Sequence, residues 1–190
     1  LGFARDPNTL YIRADHNGRY AIFKVDLSKP NLPRELVFSD PDYDVLGRLI
    51  YSQKTNDVIG VYHGEADGAK VFFDKNYNNF QRSLDKAIPN AYNQVVNFSE
   101  DESKYILFTS NSREPGAYYL GDREKKTLSF LLDQYPLLYS QKLSGKKKIV
   151  YQARDKIDIE AYLTLPHGGI KANNPAIIVP HGGPMARDYG

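Results

Sequence analysis

The sequence predicts a mainly β chain: a partial β-propeller of about three four-stranded blades, followed by the first strands of a different, mixed sheet. Three observations predict it. A self-offset of 48 and then 47 residues runs without a gap through much of the first two thirds. Hydrophobicity alternates with period two inside each unit. The repeat then stops, and a short, wholly apolar run leads into a glycine-rich loop near the end of the chain.

The offset carries Phe3 to Tyr51 to Phe98, and Asn8 to Asn56 to Ser103, where a turn precedes a strand. It carries Leu10 to Val58 to Tyr105 and Tyr11 to Ile59 to Ile106. Further on it carries Phe23 to Val71 to Tyr118, Val25 to Phe73 to Leu120, and Asp26 to Asp74. A period of roughly 40–50 residues made of short strands is the signature of propeller blades. In residues 19–26, Ala21, Phe23 and Val25 face one way while Lys24 and Asp26 face the other. Residues 104–109 are apolar on both faces (Tyr105, Ile106, Leu107, Phe108), as an inner strand between two neighbouring blades requires. Turn chemistry at His16-Asn17-Gly18, Ala66-Asp67-Gly68 and Glu114-Pro115-Gly116 separates the strands. One segment departs from the β pattern: residues 79–88 place Phe80, Leu84, Ala87 and Ile88 on one helical face, and Pro89-Asn90 stops it.

Composition excludes several classes of function. Of the 190 residues, 41% are apolar and 25% charged, which fits neither a disordered chain nor a membrane-embedded one. Lys and Arg number 25 against 23 Asp and Glu, a net charge of +2, so no field favours nucleic acid or anionic lipid. There is no cysteine, which removes disulfides, thiolate nucleophiles and Cys-zinc sites together. No cofactor and no metal site is expected. Leu1 opens on no signal peptide, and Gly190 follows directly on a glycine-rich loop; both ends read as cuts within a longer protein. Compartment and oligomeric state are not readable.

The domain boundary is placed near residue 140, giving propeller blades over 1–140 and the strands of a second domain over 141–190. Lys142, Lys146, Lys147 and Lys148 read as a solvated linker face. Residues 149–153 and 157–165 read as two strands joined by a tight turn at Arg154-Asp155-Lys156. Ala176-Ile177-Ile178-Val179 reads as a strand buried within a sheet, running directly into Pro180-His181-Gly182-Gly183-Pro184.

That loop is the candidate site. In α/β-hydrolases an HGG-type loop after the third strand supplies part of the oxyanion hole. Acyl transfer places negative charge on a carbonyl oxygen, and fixed donors must lie about 2.7–3.1 Å from it. Glycine lets the backbone approach and turn its N–H groups inward without an obstructing Cβ. A second copy, His167-Gly168-Gly169, lies in a polar stretch after Pro166 and reads as a plain connection. The motif alone is therefore weak. From the residues themselves, His181–Pro184 is either a catalytic loop or a structural turn.

The run Val150-Tyr151-Gln152-Ala153-Arg154-Asp155, then Ala161-Tyr162-Leu163-Thr164-Leu165-Pro166, then Ile177-Ile178-Val179-Pro180-His181-Gly182-Gly183-Pro184 resembles the start of the catalytic domain in the prolyl oligopeptidase family. It is most similar to the acylaminoacyl-peptidase branch. The resemblance implies a β-propeller followed by an α/β-hydrolase domain with a Ser-Asp-His triad, in the same order as here. The family usually has Asp-Gly at the turn between its first two strands, where this chain has Asp155-Lys156. It often has Tyr at the position of His181; with no phenol here, the implied donors are the amides of Gly182 or Gly183, and His181 orients the loop. No Gly-x-Ser-x-Gly elbow occurs in the 190 residues, so no triad member is assigned. His16 and His63 read as structural or exposed.

The resemblance thus implies a fragment of a serine peptidase that hydrolyses peptide or acyl-aminoacyl bonds of short peptides, with the propeller gating access. The fragment by itself is expected to be inactive. The alternatives are a non-catalytic propeller binding module of the TolB or WD40 kind, and a carboxylesterase-type hydrolase.

Overall fold

The computed structural model describes residues 1–64, 68–138, 141, 143–171 and 173–183. Its sheets are all antiparallel and join strands that follow one another in the chain. The first comprises β1 (Gly2–Phe3), β2 (Thr9–His16), β3 (Arg19–Asp26) and β4 (Arg34–Phe38), in that order. The second has three strands, β5 (Leu49–Tyr51), β6 (Val58–Tyr62) and β7 (Lys70–Phe72), and the helix α1 (Lys75–Ala87) follows where a fourth strand would stand. The third has β8 (Tyr92–Phe98), β9 (Lys104–Asn111), β10 (Glu114–Asp122) and β11 (Thr127–Asp133). These meander sheets are the blades, the middle one a strand shorter than expected.

The repeat has a structural counterpart at each blade entrance. The amides of Ala4, Ser52 and Ser99 donate to the carbonyls of Thr9, Asp57 and Lys104, at 2.9, 2.9 and 3.0 Å. The same turn therefore recurs at the offsets read from sequence. At or just beyond the end of each blade's third strand stands an aspartate whose carboxylate receives the amide two residues on. Asp26 takes Ser28, Asp74 takes Asn76 and Asp122 takes Glu124, at 3.0, 2.7 and 3.0 Å. In the second blade this Asx turn becomes a helix N-cap, because Tyr77 N also donates to Asp74. That cap is why α1 starts four residues before the apolar spacing indicated.

Two turns differ from expectation. Asn17-Gly18 closes the β2–β3 hairpin as anticipated, with φ of 58° and 82°, the left-handed pair that a two-residue hairpin loop needs. Glu114-Pro115-Gly116, however, lies within β10, and the reversal falls at Ser112-Arg113. The Asn111 side chain receives the amides of Arg113 and Glu114, at 2.9 and 3.0 Å, and so fixes the turn earlier; Pro115 and Gly116 fall in a bulge. Of the third expected turn only Gly68 lies within the described residues.

The core sits between blades rather than inside any one of them. Ile22 of β3, Val45, Leu49 of β5 and Val58 and Val61 of β6 form one buried cluster that closes the first blade on the second. Ala21, Phe23 and Val25 are buried on the opposite face of β3, so this strand is apolar on both sides. Leu84 of α1 with Val95, Tyr105 and Leu107 forms the other cluster, and Phe80, Ile88, Phe98, Tyr119 and Leu128 pack against it. A blade needs neighbours because each sheet has two apolar faces to cover.

The last part of the described chain holds β12 (Lys146–Gln152) and β13 (Asp158–Thr164), a two-stranded sheet. The turn is at Arg154-Asp155-Lys156, with Lys156 at φ 68° and its amide on the Ala153 carbonyl at 3.0 Å. The lysine run is not a linker: Lys146, Lys147 and Lys148 form the start of β12. There Lys148 pairs with Glu160 across the hairpin at 3.2 Å, and Lys146 stands over the Tyr162 ring. Cross-strand partners make the segment a strand despite its charge. Lys142 and the boundary near residue 140 lie outside the described residues. The expected buried strand at 176–179 is also corrected. Ile177 and Ile178 are each 90% exposed and pair with no strand among the described residues, since a buried strand needs a ladder neighbour and β12 and β13 there bond only each other.

Candidate active-site loop and its surroundings

Beyond β13 the chain turns at Pro166, where the Gly169 amide donates to the Pro166 carbonyl at 3.2 Å and Gly168 and Gly169 have φ of 88° and 84°. A second turn follows, with Lys171 N on Asn174 Oδ1 at 3.0 Å. The chain then runs out through the exposed apolar residues 177–179 to His181. There the ring Nδ1 donates to the Gly182 carbonyl at 2.9 Å, which ties the imidazole to its own loop. His181, Gly182 and Gly183 are all exposed, and a Cβ at Gly182 would meet nothing within 4 Å. No hydrogen bond among the described residues engages the amides of Gly182 or Gly183. Pro184 lies outside the described residues.

The loop thus presents donors without a reacting partner. Among the described residues no serine, histidine and carboxylate come together as a triad. His63 Nε2 meets Asp40 Oδ2 at 2.9 Å, with its ring edge against Phe38, but no hydroxyl joins the pair. The hydrogen bond from His63 holds the Asp40 carboxyl below its ordinary range. His16 stands edge-on to Phe23. Both histidines are therefore packed against the blades, as the sequence suggested. Among the described residues no three His, Asp or Glu side chains gather as a metal site, and no helix is long and apolar enough to cross a membrane.

The other HGG acquires a setting that sequence alone did not give it. His167, Gly168 and Gly169 border a cleft of about 730 Å³ between the β9–β10 turn and the β12–β13 hairpin. Arg113 and Glu114 line it from the third blade, and Lys147 and Leu163 from the hairpin. The hairpin also reaches the segment between the first two blades, where the Tyr43 hydroxyl lies 3.5 Å from Glu160 Oε1.

Sequence reasoning missed a buried polar knot between the second and third blades. Glu102, 4% exposed, receives Ser52 Oγ at 2.8 Å, the Tyr77 hydroxyl, and the Lys54 amide at 3.3 Å. Arg123 approaches Oε2, the oxygen that also receives Tyr77, at 3.5 Å and lies 4.6 Å from the Phe80 ring centroid. Burial pushes the Glu102 carboxyl up, but the bonds from Tyr77, Ser52 and Lys54, with Arg123, outweigh it and leave the group below its usual range. Burial, then the bond to Glu102, pushes the Tyr77 phenol up to about 12. No motif marks these residues. The sole clue is a polar residue at a blade turn, a position usually exposed.

Comparison with known proteins extends along the whole chain. No family model matches it. It is 30% identical to dipeptidyl aminopeptidase BIII of Pseudoxanthomonas mexicana, an alignment covering 100% of this chain and 28% of that protein. It is 30% identical over 122 residues to dipeptidyl peptidase family member 6 of Caenorhabditis elegans, covering 53% of this chain and 16% of that one. The chain thus spans under a third of the length of either relative. Two solved structures overlay loosely, each at 13% identity. Prolyl oligopeptidase B of Galerina marginata does so with a TM-score of 0.40, over 82% of this chain and 22% of its own. TolB of Acinetobacter baumannii does so with a TM-score of 0.35, over 86% of this chain and 39% of its own. Overlays this loose decide nothing about function.

Proposed function

We propose that this chain belongs to the prolyl oligopeptidase family of peptidases and is the junction between propeller and catalytic domain of a serine peptidase acting on short peptides. The observation that carries the proposal is the whole-length match to a dipeptidyl aminopeptidase, coinciding with the His181-Gly182-Gly183 loop at the end of an apolar run. In this reading residues 1–140 are blades that gate access, and residues 141–190 open an α/β-hydrolase sheet. The exposed Ile177, Ile178 and Val179 become an inner strand of that sheet once its neighbours are present.

The chemistry follows from the loop. A serine outside these residues attacks the scissile carbonyl, a histidine takes its proton, and charge develops on the carbonyl oxygen. The amides of Gly182 and Gly183, which no bond among the described residues engages, are the donors that meet that charge. His181, tied through Nδ1 to the Gly182 carbonyl, positions the loop and is not the base. The propeller excludes folded proteins by size and admits short peptides.

Active-serine labelling of the full-length protein with a fluorophosphonate, followed by peptidyl and acyl p-nitroanilides, tests the reading. Labelling with amide hydrolysis is expected, and the 190-residue chain alone is expected to be inert. Replacing Gly182 or Gly183 by Pro deletes one N–H, and for the donor residue costs on the order of 10²–10³ in kcat. Absence of any labelled serine in the full-length protein refutes the enzyme and leaves a propeller binding module. Hydrolysis of esters but not amides refutes the peptidase.

A further inference from the structure

The second blade holds two cations that the peptidase reading leaves unused. Tyr62, at the end of β6, pairs across the ladder with Lys70 of β7, and its amide donates to the Arg48 carbonyl at 2.9 Å, just before β5. Three adjacent strands thus set Arg48, Tyr62 and Lys70 in one row. The Arg48 guanidinium carbon lies 4.8 Å from the Tyr62 ring centroid and the Lys70 ammonium 5.7 Å from it. Two like charges share one ring.

Neither charge has an anionic partner among the described residues. Lys70 donates to the Val95 carbonyl of β8, which leaves two of its three N–H bonds unused. No guanidinium N–H of Arg48 meets an acceptor among the described residues. The nearby carboxylate of Asp85, which lines an adjoining cavity with Lys70, is bonded instead to Gln81 and Asn93, at 3.0 and 3.3 Å. Burial, with repulsion from Arg48, brings the Lys70 ammonium down to about 8. Lys70 is half-buried, and a partly desolvated charge without a counter-charge is costly; a bound anion offsets that cost.

The space for such an anion is present. Arg48, Tyr62 and Lys70 line one side of a cavity of about 320 Å³ between the second and third blades, and Val95 and Asn97 of β8 line the other. A guanidinium fork binds two oxygens of a carboxylate or phosphate at once, and an ammonium adds a point charge beside it. We propose that this cleft is an oxyanion-binding site, in which Arg48 and Lys70 together hold a carboxylate or phosphate group of a small ligand beside the Tyr62 ring. The site is separate from the glycine loop and does not depend on the peptidase reading.

Isothermal titration of the full-length protein with inorganic phosphate, N-acetylglycine and N-acetylglycinamide tests it. Saturable binding of phosphate or N-acetylglycine is expected, each reporting one source of the oxyanion, with N-acetylglycinamide at least ~10-fold weaker. Arg48→Gln, at an exposed side chain that leaves the fold intact, and Lys70→Met are each expected to weaken binding by ~10-fold or more. The proposal is overturned if neither anion saturates, if the neutral amide binds as well as the acid, or if Arg48→Gln leaves affinity unchanged. None of these readouts uses peptidase activity, so failure here and failure of the peptidase assignment are told apart.

Discussion

Glu102→Gln tests whether the polar knot holds the second and third blades together. The substitution keeps the shape and removes the charge. Glu102 now accepts from Ser52 Oγ, the Tyr77 hydroxyl and the Lys54 amide, and faces Arg123. A glutamine has one accepting oxygen, so its NH₂ must face at least one of these donors. A buried donor left without an acceptor costs about 1–3 kcal/mol. Loss of charge assistance in the remaining bonds adds about 1 kcal/mol. The sum is about 2–4 kcal/mol, which for a domain of this size lowers Tm by roughly 4–16 °C. Urea and thermal unfolding followed by circular dichroism read both quantities. Because the folded Glu102 carboxyl titrates below its usual range, its contribution is present above the unfolded carboxylate pKa and disappears as pH falls through the folded one. The difference between parent and variant should therefore shrink in acid. Crossing Glu102→Gln with Tyr77→Phe should give a coupling of about 0.5–3 kcal/mol, and the Tyr77 phenol should move down from about 12 in the glutamine variant. A variant within ~0.5 kcal/mol of the parent at neutral pH, with no coupling to Tyr77, refutes the knot as an inter-blade tie.

Other perturbations follow from single contacts. Gly121 lies on the Tyr105 ring so closely that a Cβ would stand 2.0 Å from it, and Tyr105 is buried in the core. Gly121→Ala is therefore expected to cost about 1–3 kcal/mol in urea unfolding. Asp74→Ala removes the cap that receives Asn76 N and Tyr77 N, and should cost about 0.5–2 kcal/mol, with earlier amide exchange in the first turn of α1. Asp26 is held at about 2 by the Ser28 hydroxyl and Lys29, and Asp101 at about 2 by Ser99 and Ser103. Both carboxyls are held down in the folded state, so their support is complete above roughly pH 4 and is lost between about pH 4 and 2. An Asp26→Asn, Asp101→Asn variant should show a shallower dependence of stability on pH across that window, measured by urea midpoints.

The blades were legible because their signals are local and repeated. Ala21, Phe23 and Val25 show their period within eight residues, and Asn17-Gly18 specifies its own backbone geometry. The helix was legible from Phe80, Leu84 and Ile88, but its start was not, because Asp74 fits an Asx turn and an N-cap equally well. The turn near residue 114 was misplaced for a similar reason. Pro-Gly is a turn signal, yet the Asn111 side chain captured the amides of Arg113 and Glu114 and so set the reversal three residues earlier, at Ser112-Arg113. The lysine run read as a linker because composition carries no information about a cross-strand partner such as Glu160.

The glycine loop was found from its motif and from the apolar residues that precede it, both contiguous in sequence. Its distinction from the second HGG rested on context alone, and the cleft beside His167 was invisible until the β9–β10 turn and the hairpin were brought together. The amino-acid order alone determined the repeat, the strand alternation and the Asn17-Gly18 hairpin turn, because alternation and turn depend on residues within a few positions of one another and the repeat is the recurrence of such local patterns. Only the tertiary structure decided that Ser52, Tyr77, Glu102 and Arg123 meet, and that Arg48 and Lys70 flank one ring. Those contacts join residues up to 50 positions apart, and they exist only once strands or whole blades are folded against one another.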